Sequence, residues 1–96
     1  MKTVFEINDK VFFLKEGSII SVNWVDFKFR YVEKGTVVNY DGSKYIVRND
    51  KNPAEKYEII QPIASEEEAE KLAHEMNEHL LNEVKTAIMV IEKNYL

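Results

Sequence analysis

The sequence predicts an α+β fold in which a small antiparallel β-sheet or barrel is followed by a long C-terminal α-helix. Three observations carry this expectation. β-branched and aromatic runs fill residues 1–64, and glycines at 17, 35 and 42 punctuate them. From Ser65 onward there is no glycine or proline. In that same stretch apolar residues recur every three or four positions, the period of one helix face. The 96 residues, 45% of them hydrophobic, read as one domain, with a β-rich body over 1–64 and an amphipathic helix over 65–96. A chain of this size buries only about 60–65% of its unfolded surface, so a second copy or another partner bears on its stability.

The β elements follow in order. Residues 3–7 are a first strand candidate. Residues 11–14 and 18–22 flank Glu16-Gly17, and a two-residue turn there sets Phe13 opposite Ile20 and Val11 opposite Val22. The extended run that follows changes phase. Ile20, Val22 and Trp24 alternate in even positions, then Val25, Phe27, Phe29 and Tyr31 in odd ones. A strand alternates with period two, so both sets face inward only if a bulge or tight corner falls near Trp24 and Val25. Glu33-Lys34-Gly35 is expected to turn next, with Gly35 left-handed. Asp41-Gly42 predicts a type I′ hairpin pairing Val38 with Tyr45 and Thr36 with Val47. Residues 49–55, with Asn52-Pro53, form a loop, and 57–60 a last strand stopped by Pro62.

With these elements in place, the chain resembles the small Tudor-like β-barrels of bacterial and phage accessory proteins. The residues that carry the likeness are Lys10-Val11-Phe12-Phe13-Leu14, the Glu16-Gly17 turn, the Asp41-Gly42 hairpin, and Ser65-Glu66-Glu67-Glu68-Ala69-Glu70 opening a helix. They span roughly Asp9 to Met76, and the helix beyond Met76 is longer than such barrels carry. The resemblance implies binding of proteins or nucleic acids and transfers no ligand-binding residue.

The helix has a clear start. Ser65 is an N-cap with Glu68 three residues on, as in a capping box, and Glu66, Glu67 and Glu68 suit the positive end of the dipole. Leu72, Met76, Leu80, Val84, Ile88, Ile91 and Tyr95 form its apolar stripe, widened by Ala69, Ala73, Leu81 and Ala87. Such a helix is about 40 Å long, whereas strands of five or six residues span about 20 Å. The stripe outlasts the sheet. Either the helix folds back, or Leu80, Leu81, Val84, Ile88 and Ile91 meet another surface, a second copy or a different protein.

Composition removes much chemistry. Without cysteine there is no disulfide, thiolate nucleophile or Cys-based zinc site. His74-Glu75-Met76-Asn77-Glu78-His79 misses the His-Glu-x-x-His zinc motif by one residue. A spacing of five places the histidines about 140° apart on a helix, and Glu75 and Glu78 offer helix-surface pairs instead. The three glycines belong to separate turns, leaving no phosphate-cradling loop, and no serine has a nucleophile context. The expectation is a non-enzymatic, cofactor-free protein. Charge is uneven: 1–64 has ten Lys/Arg against nine Asp/Glu, and 65–96 three against eight. That distribution lacks the positive field that nucleic acid attracts. Residues 1–10 lack the apolar core of a signal peptide, and no apolar run nears a membrane span, so a cytoplasmic location is expected.

Three functions are carried forward. The first is a protein-interaction module that self-associates or docks a protein through its C-terminal helix. The second is a phage-type inhibitor of a host defence nuclease, using an acidic face of Glu66, Glu67, Glu70, Glu78 and Glu83. The third is a barrel that binds nucleic acid through Lys28, Arg30, Lys44 and Arg48. Strict alternation sends Phe27, Phe29 and Tyr31 to the face opposite Lys28 and Arg30, which disfavours a joint stacking and phosphate platform. The aromatics Trp24, Tyr31, Tyr40, Tyr45 and Tyr57 are read as barrel core rather than as a ligand cage.

Overall fold

The computed structural model describes residues 4–95, with side chains through Lys93. Strand β1 (Lys10–Val22) and strand β2 (Val25–Tyr40) form one long hairpin, to which β3 (Tyr45–Asn49) and β4 (Lys56–Ile59) add in chain order. All pairings are antiparallel. The sheet curls. Beyond β4, Ile63 exchanges two backbone hydrogen bonds of 2.8 and 2.9 Å with Phe12, so the chain closes onto the outer edge of β1. Val11, Val37 and Val47 are fully buried in the half-barrel, joined by Phe13, Tyr45 and Phe5. Phe5 meets the Tyr45 ring edge-on at 5.7 Å, and its N–H donates to the Tyr45 hydroxyl at 3.2 Å. Residues 4–9 tie onto the sheet without forming the expected strand, and Thr3 lies outside the described residues.

The glycines account for most of the differences from expectation. Glu16-Gly17 is no turn: β1 runs through it, and the register slips between Glu16 and Ile19 as a bulge. A Cβ on Gly17 would lie 2.7 Å from the Tyr31 ring, so the position serves close approach. Phe13 pairs with Glu33 and Val11 with Gly35, not with Ile20 and Val22. Gly35 does not turn either. It is buried within β2, where a Cβ would sit 2.5 Å from Val47 Cγ1 and 2.7 Å from the Arg48 carbonyl oxygen. The sheet curls tightly enough there to exclude any side chain.

The phase change is a hairpin turn. Val22 pairs with Val25 and Ile20 with Phe27, leaving Asn23-Trp24 as the two-residue connection. A hairpin forms at Asp41-Gly42, but not through the expected type I′ turn: only Gly42 has positive φ, at 95°, and Tyr40 pairs with Tyr45 and Val37 with Val47. The Asp41 carboxylate accepts the N–H groups of Ser43 and Lys44 at 2.9 and 2.8 Å, and this widens the loop to four residues. The loop after β3 and the short β4 are as read from the sequence.

Helix α1 (Glu66–Tyr95) runs unbroken for 30 residues, about 45 Å. The Ser65 hydroxyl accepts the Glu68 N–H at 3.1 Å, which confirms the cap. What changes is the length of its support. With β1 and β2 of 13 and 16 residues, the hairpin runs alongside much of the helix in a molecule 56 × 28 × 24 Å.

Candidate functional site: the distal arm

Beyond the half-barrel, the molecule thins to an arm made of the end of the β1–β2 hairpin and the packed helix. Asn77 fixes their relation. Its Oδ1 accepts the Arg30 N–H at 2.7 Å and its Nδ2 donates to the Arg30 carbonyl at 2.8 Å. The amide thus covers, as a neighbouring strand would, a backbone edge that β3 does not reach. From Asn77, seven helical residues advance about 10 Å to Val84, and three strand residues advance about the same from Arg30 to Phe27. Both Val84 and Phe27 are buried. Continuing at that pace brings Ile91 level with the hairpin tip.

The apolar residues of this arm are poorly covered. Ile19, Ile20 and Val25 are exposed on the hairpin, as are Leu81, Ile88, Met89 and Val90 on the helix. Trp24 is 100% exposed. Asn23 and Trp24 have φ of 50° and 69°, the left-handed pair that defines a type I′ turn. Asparagine suits the first place, whereas glycine suits the second, and left-handed backbone costs a bulky residue about 1–2 kcal/mol. Trp24 gains no packing in return. The strain belongs to the tip rather than to the core.

A groove of about 400 Å³ lies beside the Asn77–Arg30 junction, lined by Arg30, Leu72, Glu75, Met76, His79, Leu80 and Glu83. Leu72, Met76, His79, Glu83 and Val90 follow one another at spacings of four, three, four and seven, so they share one side of α1. Arg30 is held by Glu16 at 3.6 Å and donates to the Lys28 carbonyl at 2.8 Å.

The residues singled out from sequence fall in different places. Of the distal stripe, Val84 is turned into the fold at 4% exposure, which removes it from any outer contact surface. Leu80 and Ile91 are half-buried, and Leu81 and Ile88 are exposed. Glu66, Glu67, Glu70, Glu78 and Glu83 are all exposed. Glu78 pairs with His74 and Glu83 with His79, each at 3.1 Å, so the partner of His79 is Glu83 and not Glu75. Among the described residues, no group of three acidic, His or Cys residues is placed to hold a metal.

The basic residues do not converge. Lys28 and Arg30 share Glu16, while Lys44 pairs with Glu58 in another hairpin. The aromatics are dispersed too. Tyr40 stacks on Tyr45 at 4.5 Å, Tyr57 packs on Phe13 at 5.4 Å, and Trp24 stands apart. Lys15 occupies the Tyr57 face at 5.2 Å and binds Glu55 at 3.2 Å. Hydrogen bonding to Tyr57, then to Glu55, holds the Lys15 ammonium above its usual range; the Tyr57 hydroxyl and then Lys15 hold Glu55 below its own.

Sequence reading assigned Trp24, Tyr31 and Tyr40 to the core, yet all three are exposed, and the Trp24 tip was missed. The signal was the mirrored pattern Ile20-x-Val22-Asn23-Trp24-Val25-x-Phe27, which a two-residue turn after asparagine produces. Comparison with protein families, curated proteins and solved structures gave no match. Among the described residues, no helix is long and apolar enough to cross a membrane.

Proposed function

We propose that this protein is a non-enzymatic interaction module that self-associates through its distal arm. The observation that carries the reading is the uncovered apolar surface there: Trp24, Val25, Ile20, Ile88, Met89 and Val90, on an arm only one hairpin and one helix thick. Apolar surface concentrated at one end of an elongated chain is stabilised by covering it, and exposed patches of this kind mark contact sites. Exposure rather than helix length marks this surface, because the long hairpin shelters the helix as far as Val84. The resemblance to Tudor-like barrels, minus the Glu16-Gly17 turn, also favours a binding role over a catalytic one.

Light scattering across a concentration series tests this. The expected result is a mass rising from one chain to two, with Val90→Glu shifting the rise to higher concentration. A mass that stays at one chain into the millimolar range rejects self-association. Retention of a basic host protein by that monomer, lost on adding salt, would favour the inhibitor reading through the acidic helix face.

A further inference from the structure

Building on the self-association reading, we propose that Trp24 is the anchor of the dimer and that it seats in the Arg30–Leu72–Met76–Leu80 groove of a second copy. The chain carries both halves of the contact. The knob is a fully exposed indole held out on a two-residue turn. The groove, about 400 Å³, has room for an indole and offers what one favours: leucine and methionine side chains and a guanidinium. Arg30 is already fixed by Glu16 and the Lys28 carbonyl, so little freedom is lost when a ring settles against it. Glu75 and Glu83, which also line the groove, are acceptors for the indole N–H.

Symmetry makes the contact reciprocal. Tip and groove are separated by six strand residues, about 20 Å along the arm. Two arms laid side by side in opposite directions bring each tip to the other's groove, as a two-fold axis requires. Val25 and Val90 would be covered between them. Trp24, these neighbours and the groove wall they cover amount to roughly 500 Å² per copy, just under what a standard specific dimer buries.

Trp24 is the one tryptophan, so its fluorescence reports the contact directly. In the 96-residue chain, emission should move to shorter wavelength on concentrating the protein, in step with the doubling of mass. Trp24→Gly and Leu72→Glu should each weaken dimerisation by roughly 30-fold or more. Trp24→Gly creates the Asn-Gly preferred by this turn, so its thermal midpoint should equal or exceed that of the parent chain. An equimolar mixture of the two variants restores one knob and one groove and should dimerise more tightly than either alone.

A parent chain that dimerises while Trp24→Gly dimerises equally well overturns the anchor and leaves self-association standing. A parent chain that never dimerises overturns both. An emission shift produced only by phosphatidylcholine–phosphatidylglycerol vesicles, with none on concentration, overturns the proposal in favour of a membrane surface.

Discussion

Asn77 and Arg30, 47 residues apart, are joined by a side-chain amide that satisfies both backbone groups of one strand residue. This contact locks the helix to the hairpin where β2 has lost β3 as its neighbour, and the arm beyond depends on it. Asn77→Ala would leave a part-buried N–H and carbonyl without partners. The expected loss is about 1–3 kcal/mol in urea denaturation, with unfolding of the arm ahead of the barrel visible as early hydrogen exchange at Phe27 and Phe29. Asn77→Asp keeps the acceptor and sets a carboxylate against the Arg30 carbonyl, so it should destabilise as well.

Glycine substitutions should rank by what the missing side chain would meet. Gly35→Ala forces a Cβ against a backbone oxygen at 2.7 Å and a buried valine at 2.5 Å. Overpacking of this kind costs about 1–3 kcal/mol, and the immovable backbone puts it at the upper end. Gly17→Ala crowds the Tyr31 ring, which is 40% exposed and free to swing away, and meets the Phe29 carbonyl oxygen at an ordinary 3.7 Å. Thermal denaturation of the two variants should show the larger loss at Gly35, and the reverse order would contradict the packing described for the curled sheet.

Glu33 is buried opposite Phe13, and among the described residues its Oε2 is a buried side-chain oxygen with no hydrogen-bond partner. Replacement by an apolar side chain of similar length removes that desolvation. Glu33→Met is expected to raise stability by about 1–3 kcal/mol, read from the denaturation midpoint at neutral pH. A loss of stability would show that the carboxylate has a favourable role in the barrel.

The acid limb of stability should depend on Asp41 and Glu55. The Ser43 and Lys44 N–H groups hold the Asp41 carboxyl below its usual value, and Tyr57 and then Lys15 do the same for Glu55. A depressed folded-state pKa contributes stability that is present above the unfolded value and lost as pH falls through the folded one. The melting temperature should therefore fall below about pH 4, and the combined Asp41→Asn, Glu55→Gln variant should show a flatter acid limb. Lys15 works in the opposite sense: its raised pKa stabilises fully below the ordinary 10.5, and that contribution is lost only in stronger alkali.

The helix and its start could be read from Ser65 and Glu68 because capping is local and its chemistry sits within four residues. Glycine was a weaker guide. At Gly42 it supplies a positive φ, but at Gly17 and Gly35 it supplies space, and only the folded sheet shows which residues approach. Misplacing those turns halved the apparent strand lengths, and from that came the expectation that the sheet was too short for the helix. The Trp24 tip was legible as a mirrored alternation around Asn23, yet composition alone placed an aromatic residue in the core. Asn77 was not legible, since an asparagine on a half-polar helix face gives no sign of the strand edge it will meet.

Whether two copies meet on the uncovered arm can be read most directly by following every amide resonance in ¹⁵N-labelled protein on dilution. Concentration-dependent shifts should be confined to residues 19–30 on the hairpin and 72–91 on the helix, with Trp24 and its indole N–H among the largest. Shifts centred on the half-barrel or the first helical turn, or spectra that do not change with concentration, would contradict a meeting on the arm.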